Sequence, residues 1–307
     1  MLNKDSAIHI PQHFLSNQAV TKIFTDILLH FLVGRIKDLS NTDKREGQVI
    51  LNLFRIIFHG ISTYPDNEPV LKLHVRTIVI ACLKHAMQEK RPTSYYQLLK
   101  NFFRSVSSGK YELLQKEFIQ LLKNLIENLC KLLKEAQEDD TKELLVELCL
   151  TVPARLNFLL PHIPLLMKPM VQALNGSNEM VHLGLKKLEQ WVENLQPNFL
   201  DPHLQTVKDD LVPALYKQLQ SGNNTFAVNA IRILGKLGGR NRRLLRNQVP
   251  LEGKENREDG LVVSVQLPKS SGGSATINIA LDDAVKTAAV MLERPVLTFI
   301  TNGRPFS

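Results

Sequence analysis

Cysteine and long apolar stretches are both scarce in this sequence of 307 residues. Cys82, Cys130 and Cys149 lie singly in apolar segments, which predicts reduced core residues and not a disulfide framework or a metal site. The apolar stretches, such as 156–166, are broken by Pro and His and fall short of the roughly 18 residues of a membrane span. The first twenty residues lack the continuous apolar region of a secretory signal. We therefore expect a soluble, intracellular protein.

Motifs that carry catalysis or bind metals are also missing from the sequence. It has no His-Glu-x-x-His, Cys-x-x-Cys or Gly-x-Ser-x-Gly. His9 and His13 are four residues apart, but Pro11 between them predicts that they do not share a helical face. The sequence therefore predicts no catalytic, cofactor-binding or metal-binding residue. We expect neither an enzyme nor a bound cofactor.

Positive charge is concentrated in one segment. The net charge is +8, and residues 232–246, RILGKLGGRNRRLLR, contain six Lys and Arg residues and no acid. Gly235-Lys236 does not form a phosphate-binding loop, because Leu237 replaces the required Ser or Thr and the preceding residues have a helical period. Gly238 and Gly239 are instead predicted to end that helix with a left-handed residue.

Four arginines in this segment are candidate contact residues for a partner: Arg240, Arg242, Arg243 and Arg246. Two interpretations stay open for them. They form a solvated turn or pair with acids of a neighbouring segment, or they bind an acidic protein segment or a nucleic acid. Nucleic acid is the weaker choice of partner, because no aromatic residues alternate with these cations.

Helical periodicity extends from about residue 17 to residue 237. In the first segment, Ile23, Ile27, Leu28 and Phe31 form one apolar face, which is typical of a helix that packs on a core. The predicted helical segments are 19–39, 44–61, 69–89, 93–105, 111–136, 141–150, 153–174, 178–195, 204–220 and 224–237.

Two parts of this helical region repeat the same plan. Residues 164–192 and 213–237 each open on Pro, continue as an apolar helix, turn at a Gly-Asn-Ser cluster and finish with a second helix. The spacing of roughly 46 to 49 residues is slightly longer than the HEAT-type period. Residues 1–247 are therefore predicted to be HEAT-like antiparallel helix pairs stacked as an α-solenoid. A compact helical bundle is the less favoured alternative.

The pattern changes after residue 247. LVVSVQL (261–267) and TINIAL (276–281) are typical of strands joined by a Ser-Gly-Gly turn, whereas 251–259 is polar. We interpret 248–281 as a β-hairpin insertion. Residues 282–307 are predicted to begin a further helical repeat.

Several segments of the chain resemble one protein family. They are 142–177, 193–200 and 232–245, in which ELCLTVPARL and LGKLGGRNRR are long enough to be specific. Weaker similarity in 93–125 and from the hairpin into LDDAVKTAAVML extends the match over essentially the whole chain. On these residues the chain resembles the transformation/transcription domain-associated family of very large nuclear scaffolds, related to the phosphatidylinositol-3-kinase-like kinases.

The resemblance implies a HEAT-repeat segment of a non-catalytic coactivator. Its implied partners are transcription activators and subunits of histone acetyltransferase complexes of the SAGA and NuA4 types, and its implied location is the nucleus. Family members end in a kinase-like domain without catalytic residues, which this sequence does not contain, so we expect a piece of a longer protein. From the short apolar stretches and the missing catalytic motifs, we also expect no membrane and no small-molecule substrate among its partners. Direct nucleic-acid binding through residues 240–246 is the alternative function.

Overall fold

The chain folds mainly into α-helices, followed by a small β-sheet. The computed structural model describes residues 6–40, 44–107, 111–219, 224–239, 242, 244–245, 251–256, 260–269 and 272–280. The helices are α1 Ser6–Leu15, α2 Thr21–Gly34, α3 Lys44–Thr63, α4 Glu68–Gln88, α5 Thr93–Val106, α6 Glu112–Glu135, α7 Asp139–Thr151, α8 Leu156–Leu159, α9 Ile163–Leu174, α10 Asn178–Asn194, α11 Pro197–Gln205, α12 Lys208–Leu219 and α13 Asn224–Leu237. The strands are β1 Leu251–Asn256, β2 Gly260–Pro268 and β3 Ser274–Ala280. The predicted fold class, HEAT-like antiparallel helix pairs with a small antiparallel sheet, is confirmed.

Two compact units divide the chain, Met1–Leu166 and Met167–Ser307. In the first unit, α2, α4 and α6 pack side by side in one layer, and α3, α5 and α7 pack side by side in a second. The pairs α4–α5 and α6–α7 connect the two layers. This arrangement leaves one face of each helix pointing away from the partner layer, as the stacking of helix pairs requires.

A cluster of phenylalanines joins the two layers of the first unit. Phe58 of α3 and Phe102 of α5 stack with ring centroids 4.8 Å apart, and Phe118 of α6 lies 5.3 Å from Phe102. All three side chains are fully buried. Each buried aromatic ring contributes roughly 2 to 3 kcal/mol to stability from apolar area removed from water.

Helix α7 of the first unit is buried along most of its length. It begins with Asp139 and Asp140, which the positive end of the helix dipole favours, and residues 145–150 are all buried. No single helix among the described residues is long and apolar enough to cross a membrane. On length and composition alone, α7 and residues 156–174 pass that test together, as a pair that is sharply bent at the break between them.

All but the first residues of the predicted repeat lie in the second unit. Helices α9 and α10 correspond to its first copy, and α12 and α13, which pack against each other, correspond to its second. A Cβ on Gly184 of α10 would lie 3.1 Å from a methyl carbon of Leu174, so glycine allows α9 and α10 to approach closely. The idea that each copy opens on Pro is wrong for the second copy, because α12 begins before Pro213 and contains it.

Two short helices were not predicted. Helix α1 includes Pro11, so the expectation that this proline separates His9 and His13 is wrong. Helix α11 begins at Pro197, in the interval between the predicted helical segments 178–195 and 204–220. Proline is common at the first position of a helix, because the N–H that it lacks has no partner there in any case.

The sheet has three antiparallel strands in the order β1-β2-β3, one more than the predicted hairpin. Gly272 and Gly273 form the β2–β3 turn with φ angles of +91° and +88°, which glycine adopts without strain. Val265 and Leu267 of β2 pack against Val212 of α12. Strand β1 was missed because its polar residues show no apolar alternation, and its pairing depends on β2. The further helical repeat predicted to begin in residues 282–307 lies outside the described residues.

Candidate partner-binding surface

The cations near the end of α13 pair with acids of α10. Arg232 Nη1 lies 3.1 Å from Glu189 Oε1, and Lys236 Nζ lies 3.5 Å from the same oxygen. Lys236 also forms an ion pair with Glu193, one helical turn farther along α10. Since α10 and α13 pack against each other, these pairs connect neighbouring helices. Two of the six cations in residues 232–246, Arg232 and Lys236, are thus engaged with acids of α10.

Arg242 is buried and holds the end of α10. Only 5% of the residue is exposed. Its Nη1 donates to Asp201 of α11 at 2.5 Å, and its Nη2 donates to the carbonyl oxygens of Val192 at 2.6 Å and Leu195 at 3.2 Å. The last carbonyls of a helix have no partner inside that helix, so the guanidinium satisfies groups that would otherwise need water.

Of the four arginines predicted as partner contacts, the structure describes only this one. Arg242 pairs with Asp201, an acid of a neighbouring segment, which is the first of the two interpretations given above. Its guanidinium is therefore not presented to a partner in this fold. Arg240, Arg243 and Arg246 lie outside the described residues, and their contact with a partner stays a prediction.

The glycines of the same segment end the helix, although not in the predicted way. Helix α13 stops at Leu237, and the N–H of Gly238 donates to the carbonyl of Leu234 at 2.9 Å. Neither Gly238 nor Gly239 has a positive φ angle, so the predicted left-handed residue is wrong. Gly235 and Lys236 lie inside the helix, a position from which no phosphate-binding loop is formed.

The apolar face predicted for α2 points away from the core. Ile23, Ile27 and Phe31 are 67%, 62% and 56% exposed, whereas the buried face contains Thr25 and Leu29. The sequence correctly identifies the apolar stripe, but its assignment to the core is wrong. These exposed side chains form an apolar surface in the first unit.

A groove of about 480 Å³ lies between α4 and α6 in the same layer. Its apolar floor contains Val79, Leu83, Leu121 and Leu125, and its sides carry cations from α4 and amides from α6. The remaining lining residues are Arg76, Ile80, Lys84, Met87, Gln88, Gln120, Asn124 and Asn128. No carboxylate is among these lining residues.

The sequence contains a signal for this groove on the outer face of α4. Ile80 and Met87 fall on the charged face of α4, where each is 46% exposed. A helix with apolar residues on all sides is buried or is covered by a partner on its outer side. Arg76 and Lys84, one turn before and one turn after Ile80, belong to the same exposed face.

A second cleft of about 520 Å³ lies between α1, α3 and α5. It is more polar, and Arg104, one of its lining cations, is engaged elsewhere. Arg104 Nη2 lies 2.6 Å from Glu147 of α7, and Lys100 Nζ lies 2.7 Å from the other oxygen of that carboxylate. Glu147 is only 3% exposed, so these two cations compensate a buried negative charge.

The cysteines are free thiols, but two of them are neighbours. The thiols of Cys130 on α6 and Cys149 on α7 interact with each other, and the Cys130 thiol donates to the carbonyl oxygen of Leu165 at 3.6 Å. Contact with Cys130 and burial both raise the pKa of Cys149 well above its ordinary value. The predicted place in the core is confirmed for Cys82 and Cys149, which are buried, whereas Cys130 is only partly buried.

Comparison with known proteins places these features in a family. Residues 1–222 match the family described as the Tra1 HEAT repeat central region, and residues 232–302 match the Tra1 HEAT repeat ring region. The chain belongs to the Tra1 HEAT-repeat family. The groove between α4 and α6 lies in the part that matches the Tra1 central region, and Arg242 with the sheet lies in the part that matches the Tra1 ring region.

Over the aligned regions, named members of the Tra1 family are about a third identical to this chain. The human transformation/transcription domain-associated protein is 36% identical over 289 residues, which are 94% of this chain and 7% of that protein. The Saccharomyces cerevisiae SAGA complex/NuA4 acetyltransferase complex subunit is 35% identical over 291 residues, 91% of this chain and 8% of that protein. The Drosophila melanogaster transcription-associated protein 1 is 36% identical over 280 residues, 91% of this chain and 7% of that protein. The chain thus spans less than a tenth of the length of these relatives.

Proposed function

We propose that this chain is a non-catalytic scaffold segment of a nuclear transcription coactivator. Membership of the Tra1 HEAT-repeat family is the observation that supports the proposal, since a named member is a subunit of the SAGA and NuA4 acetyltransferase complexes. The segment contributes helix-pair surfaces that bind proteins and performs no chemical step. It needs no cofactor and no small-molecule substrate.

Its partners are transcription activators and subunits of histone acetyltransferase complexes. The exposed apolar stripe of α2 and the groove between α4 and α6 support this part of the proposal, because exposed contiguous apolar side chains commonly mark protein contacts. Arg240, Arg243 and Arg246 add a basic contact for an acidic protein segment.

Affinity purification of the full-length protein that contains this chain tests the proposal. We expect acetyltransferase subunits to co-purify in fixed proportion, and cross-linking mass spectrometry to give cross-links between partner proteins and lysines of this chain. Purification without any acetyltransferase subunit would contradict the scaffold function. Turnover of a small molecule by the purified chain would contradict its non-catalytic part.

Direct nucleic-acid binding through residues 240–246 is the alternative function, and it has less support. Arg232, Lys236 and Arg242 are each paired with a carboxylate. Only cations outside the described residues are then left in this segment to contact phosphates, and electrostatic affinity for nucleic acid depends on the number of such contacts.

A further inference from the structure

The groove between α4 and α6 contains cations without an acid partner, whereas a neighbouring cation of α4 is paired with an acid. One turn before the groove, Lys72 of α4 pairs with Glu117 of α6 at 3.8 Å. Within the groove, Arg76 and Lys84 continue the line of cations on α4, but α6 now presents amides instead of acids. Neither cation forms an ion pair or a side-chain hydrogen bond with any residue that the structure describes. The groove therefore has positive charge without internal compensation.

The shape of the groove suits an α-helix. Its lining extends from Arg76 to Gln88 along α4, which is about 18 Å at 1.5 Å per residue. The exposed amides of α6, Gln120 and Asn124, follow each other at the spacing of one helical turn along the other side. An amphipathic helix of about three turns, with apolar residues three and four positions apart, could cover the floor over this length.

We propose that this groove binds an amphipathic helix of a partner protein that carries acidic residues beside its apolar face. The inference builds on the proposed scaffold function and adds the site and the chemistry of one partner. Apolar side chains of the helix contact Val79, Leu83, Leu121 and Leu125. Its carboxylates pair with the cations of α4 at the rim.

A nucleic acid fits the same groove less well. Single-stranded nucleic acid is bound by a line of cations with aromatic rings on which the bases stack, and none of the lining residues is aromatic. The two cations are also eight residues apart on one helix, with Ile80 between them. This pattern matches an apolar stripe with charged edges better than a phosphate backbone.

The NMR signals of methionine methyl groups allow peptide binding in the groove to be measured on the full chain. Met87 lines the groove and is 46% exposed, whereas Met167, Met170 and Met180 are buried in the second unit. The probe is a fluorescein-labelled designed peptide of roughly 15 residues, with leucines at helical spacing and glutamates beside them. We expect the probe to shift the ¹³C-methyl signal of Met87 and to leave the signals of Met167, Met170 and Met180 unchanged.

Matched peptides and variants test each part of the proposal. The double substitution Arg76→Glu with Lys84→Glu is expected to weaken binding of the acidic peptide by at least about tenfold. The control, Lys168→Glu with Lys186→Glu, makes the same change in net charge at two exposed positions outside the groove and should alter binding by less than about twofold. Ile80→Asn should weaken binding without any change in charge. A peptide with alanines in place of the leucines should not bind.

Several results would overturn the inference. The acidic peptide could leave the Met87 signal unchanged at high concentration, or a peptide with lysines in place of the glutamates could bind equally well. A DNA duplex that shifts Met87 and loses affinity in the Arg76→Glu, Lys84→Glu variant would make the groove a nucleic-acid site. These results leave co-purification of the full-length protein with acetyltransferase subunits unaffected, so they are separate from a failure of the proposed function.

Discussion

The basic end of α13 and the groove between α4 and α6 contain cations of the same types. They differ in whether these cations are bonded to acids or carbonyls of the chain. At the end of α13, Arg232, Lys236 and Arg242 are bonded to acids or carbonyls of α10 and α11. In the groove, Arg76 and Lys84 have no acid partner among the described residues. The denser cluster in the sequence is thus largely structural where it is described, and the sparser pair is open to a partner. Density of charge alone does not indicate which cations are available.

The largest effect that separates the two regions should come from Arg242→Ala. The substitution leaves Asp201 without its cation and the carbonyls of Val192 and Leu195 without a donor, so the free energy of unfolding should fall by roughly 3 kcal/mol. Urea denaturation of the purified chain measures this change. The control is Arg232→Ala, which breaks a partly exposed pair and leaves Lys236 beside Glu189, so it should cost less than about 1 kcal/mol. Equal losses in both variants would show that Arg242 does not hold the end of α10.

A smaller loss is expected for Glu147→Gln. The buried carboxylate accepts bonds from both Lys100 and Arg104, but these cations are partly exposed and can be solvated when the charge is removed. The free energy of unfolding should therefore fall by about 1 to 2 kcal/mol. Glu127→Gln on the exposed face of α6 serves as control and should leave stability unchanged. A variant at 147 as stable as the control would argue against a structural function of this ion pair.

Removal of the groove cations should have almost no effect on stability. Arg76→Ala with Lys84→Ala breaks no ion pair with a described residue, so the change should stay within about 0.5 kcal/mol. Thermal unfolding followed by circular dichroism is sufficient to measure it. A loss as large as that of Arg242→Ala would mean that these cations are structural, and the contrast between the two regions would disappear.

The last comparison concerns nucleic acid, for which we expect no measurable binding. We expect the purified chain to retain no DNA in a filter-binding assay at low salt, because three of the six cations of the basic segment are paired with acids of the chain. If DNA is retained, reversal of Arg240 and Arg243 to Glu, with Arg242 unchanged to preserve the fold, should abolish it. Retention that this reversal abolishes would support the alternative function.

Helix positions were predictable because their signals are local. Helices α3 to α7, α10 and α13 begin and end within a few residues of the predicted segments, where Pro, Gly and Asn interrupt the apolar period. The repeat made the HEAT-like pairing predictable in the same way. Strand β1 was not predictable, because a polar strand depends on its neighbour and not on its own pattern.

The candidate site was less predictable than the fold, because its properties depend on contacts between distant residues. The bond between Arg242 and Asp201 joins positions 41 residues apart, and no spacing rule connects them. On α2, periodicity locates the stripe of Ile23, Ile27 and Phe31, but only the neighbouring helices determine that Thr25 and Leu29 face inward. Prediction of the groove would have needed the relative placement of α4 and α6. The only local sign of it in the sequence is the pair of apolar residues Ile80 and Met87 on the charged face of α4.

The three bonds of Arg242 also determine which mutations the position tolerates. A planar fork with several N–H groups reaches a carboxylate and two carbonyls in different directions, whereas the single ammonium of lysine can approach them only as a point. Preserved charge is therefore insufficient at 242, although it suffices at a solvent-exposed cation such as Arg76. Among variants of this family, an Arg-to-Lys exchange is harmless or damaging according to how many acceptors surround the side chain.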